Sequence, residues 1–181
     1  MTHDLTYVAI PEAVPIARPA GWLSLDEDAF RTFYAETAPA LRRYARRVSG
    51  DPSVADDVLQ EAYLRLLQAR IAVTGPSDLR AYLFRIATNL LNDHFREAKR
   101  SEALRLPGPA TVEPVSDRAG DVRRGLARLQ PRERQLLWLA YAEGSTHREI
   151  AAVTGLRPSS IRTLLFRARR RLTSMLVGGN T

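Results

Sequence analysis

The chain has 181 residues, 45% of them hydrophobic, and a formal net charge of +7, which suits one domain or two small ones with real apolar cores. It contains no cysteine, which excludes disulfides and thiolate metal sites. Its longest apolar run is the seven residues 136–142, well short of the ~20 that cross a bilayer, so no membrane insertion is expected.

The charge is unevenly placed. Residues 123–181 carry 12 arginines against Glu133, Glu143 and Glu149, a net of +9, while residues 1–122 carry 15 basic and 17 acidic residues. A basic C-terminal third points to a polyanion there and to a different partner elsewhere. The start has Asp4 and no basic stretch ahead of an apolar run. No secretion signal is read, and the expected location is the cytoplasm.

Residues 1–24 contain Pro11, Pro15 and Pro19 without helical periodicity and read as an extended or disordered arm. Trp22 and Leu23 are candidates to dock on the first helix. Residues 26–48 read as a helix. Asp26, Glu27 and Asp28 suit its positive end, and Phe30, Phe33, Tyr34, Thr37, Leu41, Tyr44 and Val48 keep an i, i+3/i+4 rhythm. Pro39 predicts a kink or break.

Ser53 is expected to cap a helix over 54–68, with Val54, Val58, Leu59, Ala62, Tyr63, Leu66 and Leu67 on its buried side. Asp57, Gln60, Glu61 and Leu64 recur at i, i+3, i+4 and i+7 and share an outward face. No third ligand and no histidine at ligand spacing accompany these carboxylates. Their pattern fits a solvated acidic face and a docking surface for a basic partner equally well.

Ser77 is expected to cap a long helix over 78–101. Leu79, Leu83, Ile86, Leu90 and Leu91 are its core positions. Tyr82, Arg85, Asn89, Asn92, Asp93, Arg96, Lys99 and Arg100 make a polar, increasingly basic face. Interleaved aromatics, amides and arginines suit single-stranded DNA. Standing alone, the same pattern is an ordinary amphipathic helix with a basic end. Residues 102–121 hold three prolines and two glycines and read as a linker.

Helices are expected over 122–129 and 131–143, with Gly144 ending the second and Trp138 in the core. Thr146 to Glu149 forms a capping box, and Ile150, Ala151 and Val153 give a short apolar face. Gly155 supplies a left-handed stop, and Pro158 opens the next helix. This is a helix-turn-helix. On its second helix Ile161, Leu164, Leu165, Ala168 and Leu172 fall in one stripe. The opposite face carries Ser159, Arg162, Thr163, Phe166, Arg167 and Arg170, which supply charge for phosphates and fork geometry for guanine. Phe166 lies far from the apolar stripe and needs a cover such as a thymine methyl, a sugar or a partner.

His3, His94 and His147 are scattered, and no phosphate loop, nucleophile elbow or metal spacing is present. Neither enzymatic activity nor a cofactor is expected.

The order of these parts resembles the sigma-70 family, specifically the extracytoplasmic-function (ECF, group 4) sigma factors. "VADDVLQEAYLRLL" is similar to the core-binding segment of region 2, "LRAYLFRIATNLLNDHFR" to its −10 reading segment, and "RLQPRERQLLWLAYAEGSTHREIAAVTGLRPSSIRTLLFRARRRL" to region 4. The resemblance implies an all-α protein of two small helical domains on a flexible linker. It places an arm at 1–24, region 2 at 25–101, the linker at 102–121, region 4 at 122–176 and a tail at 177–181.

By that resemblance Asp57, Gln60 and Glu61 would contact the β′ clamp helices of core RNA polymerase, with the β flap as a second contact for the protein. Tyr82, Arg85, Asn89, Asn92, Arg96, Lys99 and Arg100 would read melted −10 DNA, with Asn89 in a pocket for a flipped base. Ser159, Arg162, Thr163, Phe166, Arg167 and Arg170 would read −35 duplex DNA. Promoter DNA and an anti-sigma factor join the expected partners. The chain departs from the family at Arg157, where serine is frequent, and at Leu164, where arginine is frequent. The alternatives are a two-domain regulator of the LuxR/NarL type, which would not need the D-x-x-Q-E face, and a helical bundle that sequesters a partner.

Overall fold

The computed structural model describes residues 27–69, 75–103 and 125–177. The expected arm at 1–24, the docking of Trp22 and Leu23, residues 104–121 of the linker and 178–181 of the tail lie outside the described residues. Six helices are assigned: α1 (Glu27–Ser49), α2 (Pro52–Gln68), α3 (Pro76–Ala103), α4 (Pro131–Tyr141), α5 (His147–Thr154) and α6 (Pro158–Val177). Residues 125–128 are helical as well, and no strand occurs among the described residues. The chain is all-α, as expected.

Three details differ from the sequence reading. First, α1 runs unbroken through Pro39. Proline removes one bond, here to the carbonyl of Ala35, and Ala35 is exposed to water. The buried Phe33, Thr37, Ala38, Ala40, Leu41 and Tyr44 hold the helix on both sides of the lost bond.

Second, α2 is capped by Asp51, not Ser53. The Asp51 carboxylate accepts from the backbone N–H of Ser53 at 2.8 Å and from its hydroxyl at 2.7 Å. Those bonds hold its pKa below the usual carboxylate range. Pro52 takes the first-turn position, which needs no N–H. Third, α3 starts at Pro76. Leu79 N–H donates to the Gly75 carbonyl at 3.1 Å, so Ser77 lies inside the first turn.

Helices α1, α2 and α3 pack on one another. Their shared interior holds Leu41, Tyr44, Val48, Ala62, Leu66, Leu83 and Leu91, all fully buried. Each large side chain so buried contributes about 1.5–3 kcal/mol. Tyr34 and Leu67, expected on buried faces, are instead 42% and 46% exposed.

In the second part, α6 packs on α4 and α5, around the buried Leu136, Leu139, Ile150, Val153, Ile161, Leu165 and Ala168. The helix-turn-helix follows its sequence signals. Thr146 and Glu149 cap α5 reciprocally, Gly155 is left-handed with φ 70°, and α6 opens on Pro158.

The two parts touch. α1 packs on α4, and α3 packs on α4 and α5. A single buried cluster runs through both.

Candidate nucleic-acid and polymerase interfaces

The acidic face stands on α2. Asp57 and Gln60 are exposed and Glu61 is half-buried, with its carboxylate accepting from Arg65 Nε at 2.6 Å one turn on. Beside them Tyr34, Leu64 and Leu67 leave an exposed apolar ridge. Phe30, Leu59, Gln60 and Tyr63 join these three in lining a groove of about 270 Å³. The surface is therefore acidic and apolar together. Periodicity put Tyr34 and Leu67 in the core because it cannot tell which side of a helix lacks a neighbour.

Tyr82, Arg85, Asn89, Asn92, Arg96 and Lys99 follow one another at three- and four-residue spacings along α3 and share a face, with Arg100 one turn beyond Arg96. Arg85, Asn89, Arg96, Lys99 and Arg100 are exposed, and Tyr82 is half-buried against the core. The basic end is tempered by its own helix. Arg96 pairs with Asp93, and Arg100 pairs with Glu97 at 2.9 Å. Asn92 is not free: its amide oxygen accepts from Gln135 Nε2 of α4 at 2.9 Å.

On α6, Ser159, Arg162, Thr163, Phe166, Arg167 and Arg170 are all exposed. Phe166 is 53% exposed. Among the described residues no carboxylate pairs with Arg162, Arg167 or Arg170. The Pro158 start and the buried Ile161, Leu165 and Ala168 fix this face outward. Three exposed guanidiniums around an exposed aromatic can meet both phosphates and base edges. Trp138, expected in the core, is half-buried, and its indole N–H donates to Glu143 at 3.2 Å.

Sequence reasoning missed the side chains between the two parts. Arg80 of α3 pairs with Glu143, just past α4, at 2.5 Å. The Arg134 guanidinium lies 5.7 Å from the Phe95 ring, and burial pushes its pKa down. No local pattern marks such residues, since each partner lies 39 or more positions away.

A family description, sigma-70 region 2, matches residues 33–101, and a second, sigma-70 region 4, matches residues 119–172. Together they span well over half the chain. The ECF RNA polymerase sigma factor SigL of Mycobacterium tuberculosis is 29% identical over 87% of this chain and 94% of its own. The ECF sigma factor EcfG of Rhodopseudomonas palustris is 29% identical over 82% and 86%. BldN of Streptomyces coelicolor is also 29% identical, and there the chain spans 61% of the relative's length.

The chain belongs to the sigma-70 family, in its ECF branch.

A sigma factor of this branch binds core RNA polymerase and directs promoter-specific initiation. The region 2 match over residues 33–101 falls where a LuxR/NarL-type regulator would carry a helical sensor domain, and nothing supports that alternative. Solved structures share the fold. CnrH, solved with the cytosolic domain of CnrY, superposes with a TM-score of 0.62 at 28% identity, over 86% of this chain and 92% of that one. RpoE of Bartonella quintana, solved with the anti-sigma factor NepR, gives 0.65 at 23% identity, over 84% and 98%. No helix among the described residues is long and apolar enough to cross a membrane.

Proposed function

We propose that this sigma factor docks on core polymerase through Asp57, Gln60, Glu61 and the adjoining Tyr34, Leu64 and Leu67. It reads a −35 duplex through Ser159, Arg162, Thr163, Phe166, Arg167 and Arg170. It captures bases of the melted −10 strand along Tyr82, Arg85, Asn89 and Asn92, with Arg96, Lys99 and Arg100 on the backbone. The observation that carries this reading is the α6 face, where three exposed arginines flank the exposed Phe166. Base capture with stacking returns about 1–3 kcal/mol per base against a melting cost of a few kcal/mol. The chain acts by binding alone, in the compartment that holds the polymerase. The solved likenesses carry NepR and CnrY, which supports an anti-sigma partner for this chain too.

The test is transcription in vitro from a randomised promoter library with core polymerase freed of its own sigma factors. Specific starts that depend on this protein, lost on Asn89→Ala with polymerase binding intact, are expected. Tight duplex binding without any polymerase-dependent start would overturn the reading.

A further inference from the structure

We infer that the second part of the chain carries a binding site for a small amphipathic acid, an apolar body with one carboxylate head. The site is a cavity of about 330 Å³ lined by side chains of α4, α6 and the end of α1. None of its lining residues is assigned above to polymerase or DNA contact.

The walls are carbon. Leu137 is buried, and Leu126, Trp138 and Leu172 are half-buried around the same space. The Trp138 indole N–H already donates to Glu143 at 3.2 Å. It is the only polar group of that side chain, so Trp138 offers an occupant ring carbon alone. Tyr141, 61% exposed, and Ala142 complete the wall. Ligand sites run from about 300 to 1,000 Å³ and are mostly apolar with a few convergent polar groups. This cavity lies at the small end of that range, which suits one short chain.

The charges fix the head. Arg47 of α1, Arg134 of α4 and Arg169 of α6 all line the cavity, so three helices bring guanidiniums to one place. Arg47 and Arg169 are exposed and Arg134 is half-buried. The two carboxylates on or beside α4 are engaged elsewhere, Glu133 with Arg171 at 3.6 Å and Glu143 with Arg80 at 2.5 Å. Among the described residues no carboxylate pairs with Arg47, Arg134 or Arg169. Gathered like charges repel, and an anion among them removes that cost. Arg134 adds a second reason. Its Nε is buried with no hydrogen-bond partner, and a buried donor left unmade is costly. Burial also disfavours its charged form, which an anion alongside would favour again. The planar fork of arginine matches a carboxylate. An apolar body among the leucines and Trp138, with its acid at the arginines, satisfies both halves of the site.

The test uses the full chain with Trp22→Phe, which leaves Trp138 as the single tryptophan. Decanoate, held below the concentration at which it forms micelles, should shift the Trp138 emission saturably and raise the melting temperature. Decanol, which lacks the charged head, should bind about tenfold more weakly, and decyltrimethylammonium should not bind. The exposed pair Arg47→Gln with Arg169→Gln should weaken decanoate about tenfold, with helicity unchanged and decanol unaffected. Arg134→Met, which keeps an apolar stem, should act in the same direction. Ala142→Phe should fill the cavity and abolish the shift for both probes. No saturable shift, equal binding of decanoate and decanol, or decanoate binding that survives Ala142→Phe would overturn the site. Anionic phospholipid vesicles that shift Trp138 where decanoate does not would also overturn it, and would make the arginines a membrane contact instead.

Discussion

The hydroxyls of Tyr44 and Thr88 meet 2.8 Å apart in the interior between α1 and α3, both essentially inaccessible to water. Thr88 gives its one proton to the Phe84 carbonyl at 2.7 Å, so Tyr44 must be the donor to Thr88. The same device recurs between α1 and α2. Thr37 donates to the Phe33 carbonyl at 2.5 Å and accepts from the Tyr63 hydroxyl at 2.6 Å. Burial holds both phenols above their ordinary pKa, so neither ionises near neutrality.

The direction of that bond makes two substitutions unequal. Thr88→Val strands a buried donor and should cost about 1–3 kcal/mol, whereas Tyr44→Phe removes the donor itself and should cost about 0.5–1.5 kcal/mol. Urea denaturation followed by circular dichroism compares them. A larger loss for Tyr44→Phe would reverse the donor assignment.

The cap of α5 gives a pH dependence. The Glu149 carboxylate accepts the Thr146 backbone N–H at 2.7 Å and its hydroxyl at 2.9 Å, and these bonds hold its pKa below the ordinary value. A carboxylate lowered on folding stabilises above its unfolded pKa, about 4.3, and loses that contribution as pH falls through the lower folded value. The stability gap between wild type and Glu149→Gln should be full at neutral pH and shrink as the medium is acidified below that point. Thr146→Ala should cost about 1 kcal/mol at neutral pH.

Arg167 is exposed, and no carboxylate among the described residues pairs with it. Arg167→Ala should weaken −35 duplex binding by about 1–3 kcal/mol, with a shallower salt dependence if it holds a phosphate. Binding to core polymerase should be unchanged. Fluorescence anisotropy on a −35 duplex, beside a polymerase pull-down, separates the two, and equal loss of both would refute a DNA-reading role.

Asp57 and Leu64 lie two turns apart on one exposed face of α2. Asp57→Ala and Leu64→Ala should each weaken polymerase binding about tenfold, about 1.4 kcal/mol, with fold stability moved by less than about 0.5 kcal/mol. Native mass spectrometry of the assembled holoenzyme measures the first and thermal melting the second. A Leu64→Ala protein that binds as well as wild type would remove the apolar ridge from the interface.

Local chemistry wrote much of this protein into its sequence. The helix periods, the Thr146–Glu149 box, the Gly155 stop and the outward face of Arg162, Phe166, Arg167 and Arg170 depend on residues within two or three turns of each other, so they are legible without a fold. Boundaries were harder. Asp51 outcompeted Ser53 as cap because Pro52 fits the first turn, and α1 crossed Pro39 because packing outweighed one lost hydrogen bond. Only the tertiary structure decided that Tyr34 and Leu67 face outward, that Thr88 answers Tyr44, and that Gln135 and Glu143 reach Asn92 and Arg80. Those contacts join residues 43 to 63 positions apart or depend on where a neighbouring helix is missing. A periodic pattern gives the direction in which a side chain points, and only the assembled helices determine whether anything is there to meet it.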